Sequence, residues 1–250
     1  MGIAGGEDRG SLGGGRDASH TLARHSASLR RAFFFMKPWA DCRLYAFVDT
    51  AYLDGRAPEE LARALCGGGA DVVQVRAKGW QRDATRHLVE SVLPAVNAAG
   101  ARMVLNDDWD LGCELGVPCV HLGQEDFFDA GHATQADLPG AGHRPELGLS
   151  SHAPDQFLRA QAAGAAYVAV GPVFATPTKP GRPAVTLDYV RWAAAHARVP
   201  WFAIGGIQPG NLDAVLDAGA TRVCVVSALL LQPNVEAATR AIRTRLDAAR

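Results

Sequence analysis

Polar side chains of three kinds alternate along the segment 73–78. Gln74, Arg76 and Lys78 stand at every second position, and small apolar residues fill the positions between them. Alternate side chains of an extended strand share one face, so these three groups lie together. An amide, a guanidinium and an ammonium group on one face suit a phosphorylated, polar substrate. The segment is also compatible with a solvated strand end that carries two surface cations.

Carboxylates follow two later apolar runs. Asp107 and Asp108 come directly after Leu105-Asn106, and Glu125 and Asp126 end the segment HLGQED. If neighbouring strand ends bring Asp107 close to either later acid, the carboxylates repel unless a proton or a cation lies between them. Hard oxygen ligands without a His or Cys cluster favour Mg²⁺, which substrate phosphates and water usually complete. Helix capping is the alternative role; it suits Asp108, whereas Asp107, next to the strand, is the better metal ligand.

Hydroxyl and imidazole groups follow the next two runs. In GLSSH, Ser150 could donate to a phosphate, and His152 could be an acid, a base or a structural hydrogen bonder. The segment GPVFATPTKP predicts a long loop over a site. Its Thr176, Thr178 and Lys179 could bind phosphate oxygens, or the four residues TPTK could simply form a turn.

Small residues follow the last two runs, with Gly206 in AIGGI and Ser227 in VVSAL. Glycines that expose backbone N–H groups beside a helix N-terminus are typical of phosphate sites in α/β barrels. The residues therefore predict two anion sites. The first, with cations and a metal, suits a diphosphate, and the second, with backbone donors, suits a monophosphate. The sequence has no Ser–His–Asp order, nucleotide-binding glycine motif or iron ligand set that would compete with this interpretation.

Eight apolar runs, with amphipathic segments between most of them, must position these groups. The runs are Leu44–Val48, Val72–Val75, Met103–Leu105, Cys119–Leu122, Leu147–Leu149, Tyr167–Val170, Trp201–Ile204 and Val223–Val226. Near-continuous apolar strands are expected where both faces of a parallel sheet are covered. Eight such units within residues 39–250 predict an α/β fold of one domain, a closed (β/α)8 TIM barrel, in preference to an open doubly wound sheet. Functional groups then gather at the C-terminal ends of the strands.

Composition and charge exclude several classes of protein. The chain has 250 residues, 48% of them hydrophobic, and a formal net charge of −1, so no overall field attracts nucleic acid or an anionic membrane. Its five scattered cysteines, without CxxC spacing, indicate neither a disulfide framework nor a zinc site. No apolar stretch approaches the roughly 20 residues of a membrane span. A cytoplasmic protein with small phosphorylated substrates is expected, and its oligomeric state is not predicted.

Residues 1–38 differ from the rest of the chain. They are rich in Gly, Ser, Arg and His and lack hydrophobic periodicity. Such a composition cannot bury enough apolar surface to offset the entropy of folding. We therefore expect a disordered, low-complexity extension ahead of the barrel domain.

Seven segments in a fixed order resemble the thiamine phosphate synthase family. They are VQVRAK, LNDD, HLGQED, GLSSH, GPVFATPTKPGRP, AIGGI and VVSAL, and the resemblance extends from Arg43 to Ala238. Members of this family join 4-amino-2-methyl-5-pyrimidinylmethyl diphosphate to 4-methyl-5-(2-phosphoethyl)thiazole and require Mg²⁺. The resemblance therefore implies a transferase that forms a carbon–nitrogen bond, makes thiamine phosphate and releases pyrophosphate by a dissociative mechanism.

The resemblance also implies roles for individual residues. The pyrimidine diphosphate would be bound by Gln74, Arg76, Lys78, Asn106, Ser150 and Lys179, of which Arg76, Lys78 and Lys179 would stabilise the leaving group. Magnesium would be held by Asp107 and Asp126. The thiazole phosphate would be contacted by Thr176, Thr178, Gly206, Val226 and Ser227. Two departures, Ala77 where an acidic residue is common and Ala175 where proline is common, remove none of these groups.

Two other functions are compatible with a barrel of this kind. A related thiazole tautomerase would isomerise the thiazole phosphate by acid–base chemistry, with His152 important and the metal carboxylates unused. Retention of Asp107, Asp126 and the Gln74, Arg76, Lys78 set argues against it. A catalytically silent phosphate-binding barrel would have lost charged groups, and this chain has kept them.

Overall fold

Eight short parallel strands hydrogen-bond in sequence order and close into a barrel. They are β1 Leu44–Asp49, β2 Val72–Arg76, β3 Arg102–Asn106, β4 Cys119–Leu122, β5 Glu146–Ser151, β6 Tyr167–Val170, β7 Trp201–Ile204 and β8 Val223–Cys224. The computed structural model describes residues 36–140, 142–176 and 184–249. The predicted TIM barrel is confirmed. The predicted disordered extension, residues 1–38, lies almost wholly outside the described residues.

Helices follow most of the strands. They are α1 Pro58–Gly67, α2 Arg82–Ala98, α3 Trp109–Leu115, α4 Pro154–Ala162, α5 Thr186–His196, α6 Leu212–Asp217, α7 Ser227–Leu230 and α8 Val235–Ala248. The connection after β4 differs, because a π-helical turn, Glu125–Asp129, and a 3-10 turn, Gln135–Asp137, take the place of an α-helix. Single π-helical turns are frequent at functional sites. Within the described ranges, no helix is long and apolar enough to cross a membrane.

Aromatic side chains fill the interior of the barrel. Tyr45, Tyr167 and Phe202 pack edge to face, with ring centroids 5.4 to 5.7 Å apart. The ring of Trp39, which precedes β1, packs against that of Tyr167 at a tilt of 35°, with centroids 4.4 Å apart. Edge-to-face contacts add to the gain from burial alone. The barrel is therefore a packed core, and its open end is the mouth formed by the C-terminal ends of the strands.

The eighth strand is shorter than the sequence predicts. The apolar run continues to Val226, but β8 ends at Cys224. The backbone of Val226 (φ −115°, ψ −91°) leaves the strand conformation and begins α7 at Ser227. An apolar run shows which residues are buried and does not show where the ladder of hydrogen bonds ends.

The five cysteines are free thiols. Cys42, Cys119 and Cys224 are buried. Burial raises the pKa of the Cys42 thiol to about 12 and that of Cys66 to about 11. Thiols with a raised pKa are poor nucleophiles, so these side chains serve as small hydrophobic groups.

Asp71 ties together the end of the barrel opposite the mouth. Its buried carboxylate accepts hydrogen bonds from Lys37 Nζ at 2.5 Å, from Arg243 Nη1 at 2.7 Å, and from the backbone N–H groups of Arg43 and Leu44 at 2.7 and 3.1 Å. Burial alone would raise the pKa of this carboxyl, but the four donors outweigh it and the pKa is lowered. The folded protein therefore stabilises the ionised form.

We expect Asp71→Asn to lower the free energy of unfolding by roughly 1–3 kcal/mol near pH 6. A carboxyl whose pKa is lower in the folded state stabilises the protein above its unfolded pKa, about 4, and this stabilisation disappears as the pH falls through the lowered value. The difference between parent and variant should thus shrink below about pH 4. Urea unfolding across this pH range tests it. Asp188→Asn is the matched control, because Asp188 is exposed and its ion pair in the described part of the chain is with Arg191, three residues along α5. If the difference in unfolding free energy between the parent and Asp71→Asn stayed constant with pH, the Asp71 charge would not be the source of the stabilisation.

Candidate active site

One cavity opens at the mouth of the barrel. Eight of the residues selected from the sequence line it: Gln74, Arg76, Asn106, Ser150, Thr176, Gly206, Val226 and Ser227. These side chains and backbone groups come from six different strand ends or the loops that follow them. The closed parallel barrel brings them together because the C-terminal ends of its strands meet on one side.

Arg76 is held in place by an acid that the sequence analysis did not select. Its Nη1 donates to Asp49 Oδ2 at 2.9 Å, and Asp49, at the end of β1, is 0% exposed. Asp49 and Arg76 are register partners in the adjacent strands β1 and β2. The other carboxylate oxygen, Oδ1, accepts from Ala51 N at 3.0 Å. The guanidinium group is thus fixed at the edge of the cavity by an ion pair with a buried carboxylate.

Lys78 and Asp107 meet in a second cleft beside the cavity. Lys78 Nζ lies 3.3 Å from Asp107 Oδ2, and Trp80 and Arg82 also line this cleft. Asp107 has a left-handed backbone (φ +67°), which is uncommon for a residue other than glycine. Such strained backbone is concentrated at functional sites. Asn106 lines both the cavity and the cleft, so the two are adjacent.

Asp108 caps a helix, as predicted. Its Oδ1 accepts from Leu111 N at 2.9 Å at the start of α3, and its carboxylate also pairs with Arg82. Both neighbouring acids line the cleft, but Asp108 is engaged in capping α3 and in the pair with Arg82, whereas Asp107 pairs with Lys78.

Asp126 lies in the π-helical turn after β4. Its Oδ2 accepts from Gly123 N at 3.3 Å, and a Cβ at Gly123 would lie 2.8 Å from that oxygen. Among the described residues, no group of three or more His, Cys, Asp or Glu side chains could hold a metal ion. Two carboxylates alone suit a Mg²⁺ ion that takes its other ligands from water and substrate phosphates. Asp107 and Asp126 each carry a carboxylate of this kind.

The loops after β6 and β7 are joined by backbone hydrogen bonds. Val173 N donates to Ile204 O at 2.8 Å, and Phe174 N donates to Gly205 O at 3.0 Å. Gly206 has a left-handed backbone (φ +66°), and a Cβ there would lie 2.7 Å from Phe174 Cβ. Only glycine allows so close an approach without a shift of the backbone. Thr178 and Lys179, predicted on the same loop as Thr176, lie outside the described residues.

His152 links two strand ends. Its Nδ1 donates to the backbone carbonyl of Gly171, across the gap between β5 and the loop after β6. The imidazole also lines the cavity, so a role in binding remains compatible with this bond.

Comparison with known proteins identifies the family of this chain. The sequence profile of the family described as thiamine monophosphate synthase matches residues 44–229, which include all eight strands up to β8. The chain belongs to this family. The thiamine-phosphate synthase of Thermus thermophilus is 50% identical over 185 residues, which cover 74% of this chain and 86% of that protein. The thiamine-phosphate synthase of Acidothermus cellulolyticus is 42% identical over 212 residues, 84% of this chain and 97% of that protein.

Solved structures support the fold assignment. Thiamine phosphate pyrophosphorylase from Pyrococcus furiosus superimposes with a TM-score of 0.71 at 23% identity, over 83% of this chain and 96% of that one. (S)-3-O-geranylgeranylglyceryl phosphate synthase from Thermoplasma acidophilum gives a TM-score of 0.59 at 14% identity, over 87% and 98% of the two chains. At these identities the likeness concerns the barrel alone.

In this member of the thiamine monophosphate synthase family, four polar residues of the cavity are not among those predicted from the sequence. They are Tyr45, Asp49, His121 and Tyr167. One signal was available, because Tyr45 and Asp49 alternate along β1 just as Gln74 and Arg76 do along β2, and alternate positions share a face. His121 stood in a segment that carries the family resemblance, but it lies before the end of its strand and was interpreted as part of the apolar run.

Proposed function

We propose that this chain, as a thiamine-phosphate synthase, joins 4-amino-2-methyl-5-pyrimidinylmethyl diphosphate to 4-methyl-5-(2-phosphoethyl)thiazole with release of pyrophosphate. The observation that carries the proposal is the mouth cavity, which is lined by eight of the residues predicted to bind one substrate or the other. Cationic and amide groups lie at the ends of β2 and β3, and small residues lie at the ends of β7 and β8. This separation suits a diphosphate on one side and a monophosphate on the other.

The mechanism that fits these groups is dissociative. The bond between the pyrimidine methylene carbon and the diphosphate oxygen breaks first, and the oxygen keeps the electron pair. The amino group of the pyrimidine stabilises the resulting cation, and the lone pair of the thiazole nitrogen then forms the new carbon–nitrogen bond. No protein nucleophile is needed. The protein's task is to hold both substrates and to stabilise negative charge on the departing pyrophosphate.

Fixed cations supply that stabilisation. The Arg76 guanidinium, held by buried Asp49, needs little reorganisation as charge builds on the leaving group. Lys78, paired with Asp107, and Lys179 would add two ammonium groups. Gln74, Asn106 and Ser150 would orient the pyrimidine diphosphate. Thr176, Thr178, Gly206, Val226 and Ser227 would bind the thiazole phosphate.

Magnesium is proposed as the cofactor, with Asp107 and Asp126 as its protein ligands. The ion would neutralise the diphosphate and so make it a better leaving group. The exposed position of Asp107, whose side chain is 36% accessible beside the cleft, leaves its carboxylate open to a substrate-bound cation.

The test is pyrophosphate release from the purified chain mixed with both substrates, with Mg²⁺ or with a chelator. We expect release that requires Mg²⁺ and the thiazole phosphate and that yields thiamine phosphate. Chelation separates this activity from thiazole isomerisation, which needs no magnesium. Absence of release from folded protein would overturn the proposal, and isomerisation of the thiazole phosphate would then be measured.

A further inference from the structure

Five polar side chains form a continuous chain of hydrogen bonds across the floor of the cavity. Gln74 Nε2 donates to Tyr45 Oη at 2.7 Å, and Tyr45 Oη lies 2.9 Å from Tyr167 Oη. Tyr167 Oη lies 2.9 Å from His121 Nδ1, and His121 Nε2 lies 2.9 Å from Ser150 Oγ. The five residues come from strands β2, β1, β6, β4 and β5, and all of them are buried.

The two ends of this chain are residues proposed to bind the pyrimidine diphosphate, and the three middle residues have no assigned role. Tyr45 and Tyr167 are at most 1% exposed. Burial raises the pKa of both phenols well above the usual tyrosine value, so both keep their protons. A buried hydroxyl that donates no hydrogen bond is costly, so each of these protons needs an acceptor within the chain.

The direction of the bonds follows from Gln74. Because Tyr45 Oη accepts from the Gln74 amide, and its other partner in the described structure is Tyr167, its own proton goes to Tyr167 Oη. Tyr167 then donates to His121 Nδ1. A neutral His121 that accepts at Nδ1 carries its proton on Nε2 and donates it to Ser150 Oγ. The hydroxyl proton of Ser150 is thereby left for an acceptor in the cavity.

The packing of β5 against β6 is adapted to this arrangement. A Cβ on Gly148, two residues before Ser150, would lie 2.4 Å from the ring of Tyr167. A side chain at this position would push the phenol away from His121. The glycine therefore makes the space in which the chain of hydrogen bonds is completed.

We infer that Tyr45, Tyr167 and His121 are positioning residues that hold Ser150 as a hydrogen-bond donor to the pyrimidine diphosphate. This inference rests on the proposed function, since the ligand is that substrate. The effect is on binding and orientation of one substrate only. The thiazole phosphate, proposed to bind at the ends of β7 and β8, should be unaffected.

The experiment is a double-mutant cycle of Tyr167→Phe with Ser150→Ala, followed through the KM and kcat for each substrate. We expect Tyr167→Phe alone to raise the KM for the pyrimidine diphosphate about 3- to 10-fold, the worth of one hydrogen bond, with the KM for the thiazole phosphate unchanged. In the Ser150→Ala background, Tyr167→Phe should raise the KM for the pyrimidine diphosphate less than about twofold. Equal effects in both backgrounds would overturn the inference.

Tyr189→Phe is the matched control. The Tyr189 hydroxyl is also buried and also bonds to a serine of β5, but that serine is Ser151, outside the chain of hydrogen bonds. We expect this variant to leave both KM values unchanged. If it raised them as Tyr167→Phe does, the effect would come from general loosening of β5, and the inference would fail.

The tautomer of His121 gives a readout that does not depend on activity. In protein labelled with ¹⁵N-histidine, the His121 signals, identified by comparison with His121→Gln, should show protonated Nε2 and unprotonated Nδ1. Tyr167→Phe should weaken that preference. A proton on Nδ1 in the parent chain would overturn the inference even if the synthase activity is present. Absence of synthase activity with the expected tautomer would instead count against the proposed function.

Discussion

We expect the Arg76→Gln variant to release pyrophosphate about 10²–10³-fold more slowly than the parent chain at saturating substrates. In a dissociative reaction, negative charge grows on the diphosphate as the bond breaks, and a donor fixed before the reaction stabilises that charge most. The Arg76 guanidinium is fixed by the 2.9 Å bond to Asp49. Glutamine keeps an N–H donor but loses both the charge and the planar fork. The kcat with both substrates saturating measures this effect separately from binding.

Loss of folding must be separated from loss of catalysis. Without Arg76, the buried Asp49 carboxylate loses its ion-pair partner, which costs on the order of 3 kcal/mol of stability. The double variant Asp49→Asn/Arg76→Gln removes the unpaired charge, and the amide can still accept from Ala51 N. We expect the double variant to regain most of the unfolding free energy that Arg76→Gln loses, but none of the lost rate of pyrophosphate release. Recovery of the rate in the double variant would show that Arg76 acts only through the fold.

The barrel could be predicted from the sequence because its strands are buried on both faces. β1 and β6 are buried at every position, and apart from Asp49 at the end of β1 each appears in the sequence as a continuous apolar run. The connection after β4 has no helical periodicity, and none was predicted there. The predicted end of β8, at Val226, was wrong by two residues, because hydrophobicity does not determine the φ and ψ angles of Val226.

The grouping of residues at the candidate site could be predicted in part for a similar reason. Alternation within one strand places Gln74 and Arg76 on the same face, and this rule uses only local sequence. The bonds between strands do not follow from local sequence. Asp49 and Arg76 are 27 residues apart, and Tyr45 and Tyr167 are 122 residues apart. Their contacts depend on the register of neighbouring strands and on the closure of the barrel, which no local pattern encodes.

Asp107→Asn should have a comparably large effect, and it should act through magnesium. We expect the Mg²⁺ concentration for half-maximal activity to rise at least about 10-fold, and the rate at a fixed, subsaturating Mg²⁺ concentration to fall about 10²-fold or more. The amide keeps one oxygen but lacks the negative charge that attracts the cation. Asparagine is the appropriate replacement because it tolerates the left-handed backbone that Asp107 adopts (φ +67°), so the loop should keep its shape. Magnesium titrations of pyrophosphate release give both quantities.

The neighbouring residue provides the matched control. Asp108→Asn removes the same charge one position along the chain, but Asp108 caps α3 through Leu111 N, and asparagine caps helices as well as aspartate does. This variant should therefore keep its magnesium dependence and its rate within a few fold. If both variants shifted the magnesium requirement equally, the cation would be responding to the summed negative charge at the end of β3. If neither shifted it, Asp107 would not be a ligand, and its strained backbone would need another explanation, of which the ion pair with Lys78 is the first to test.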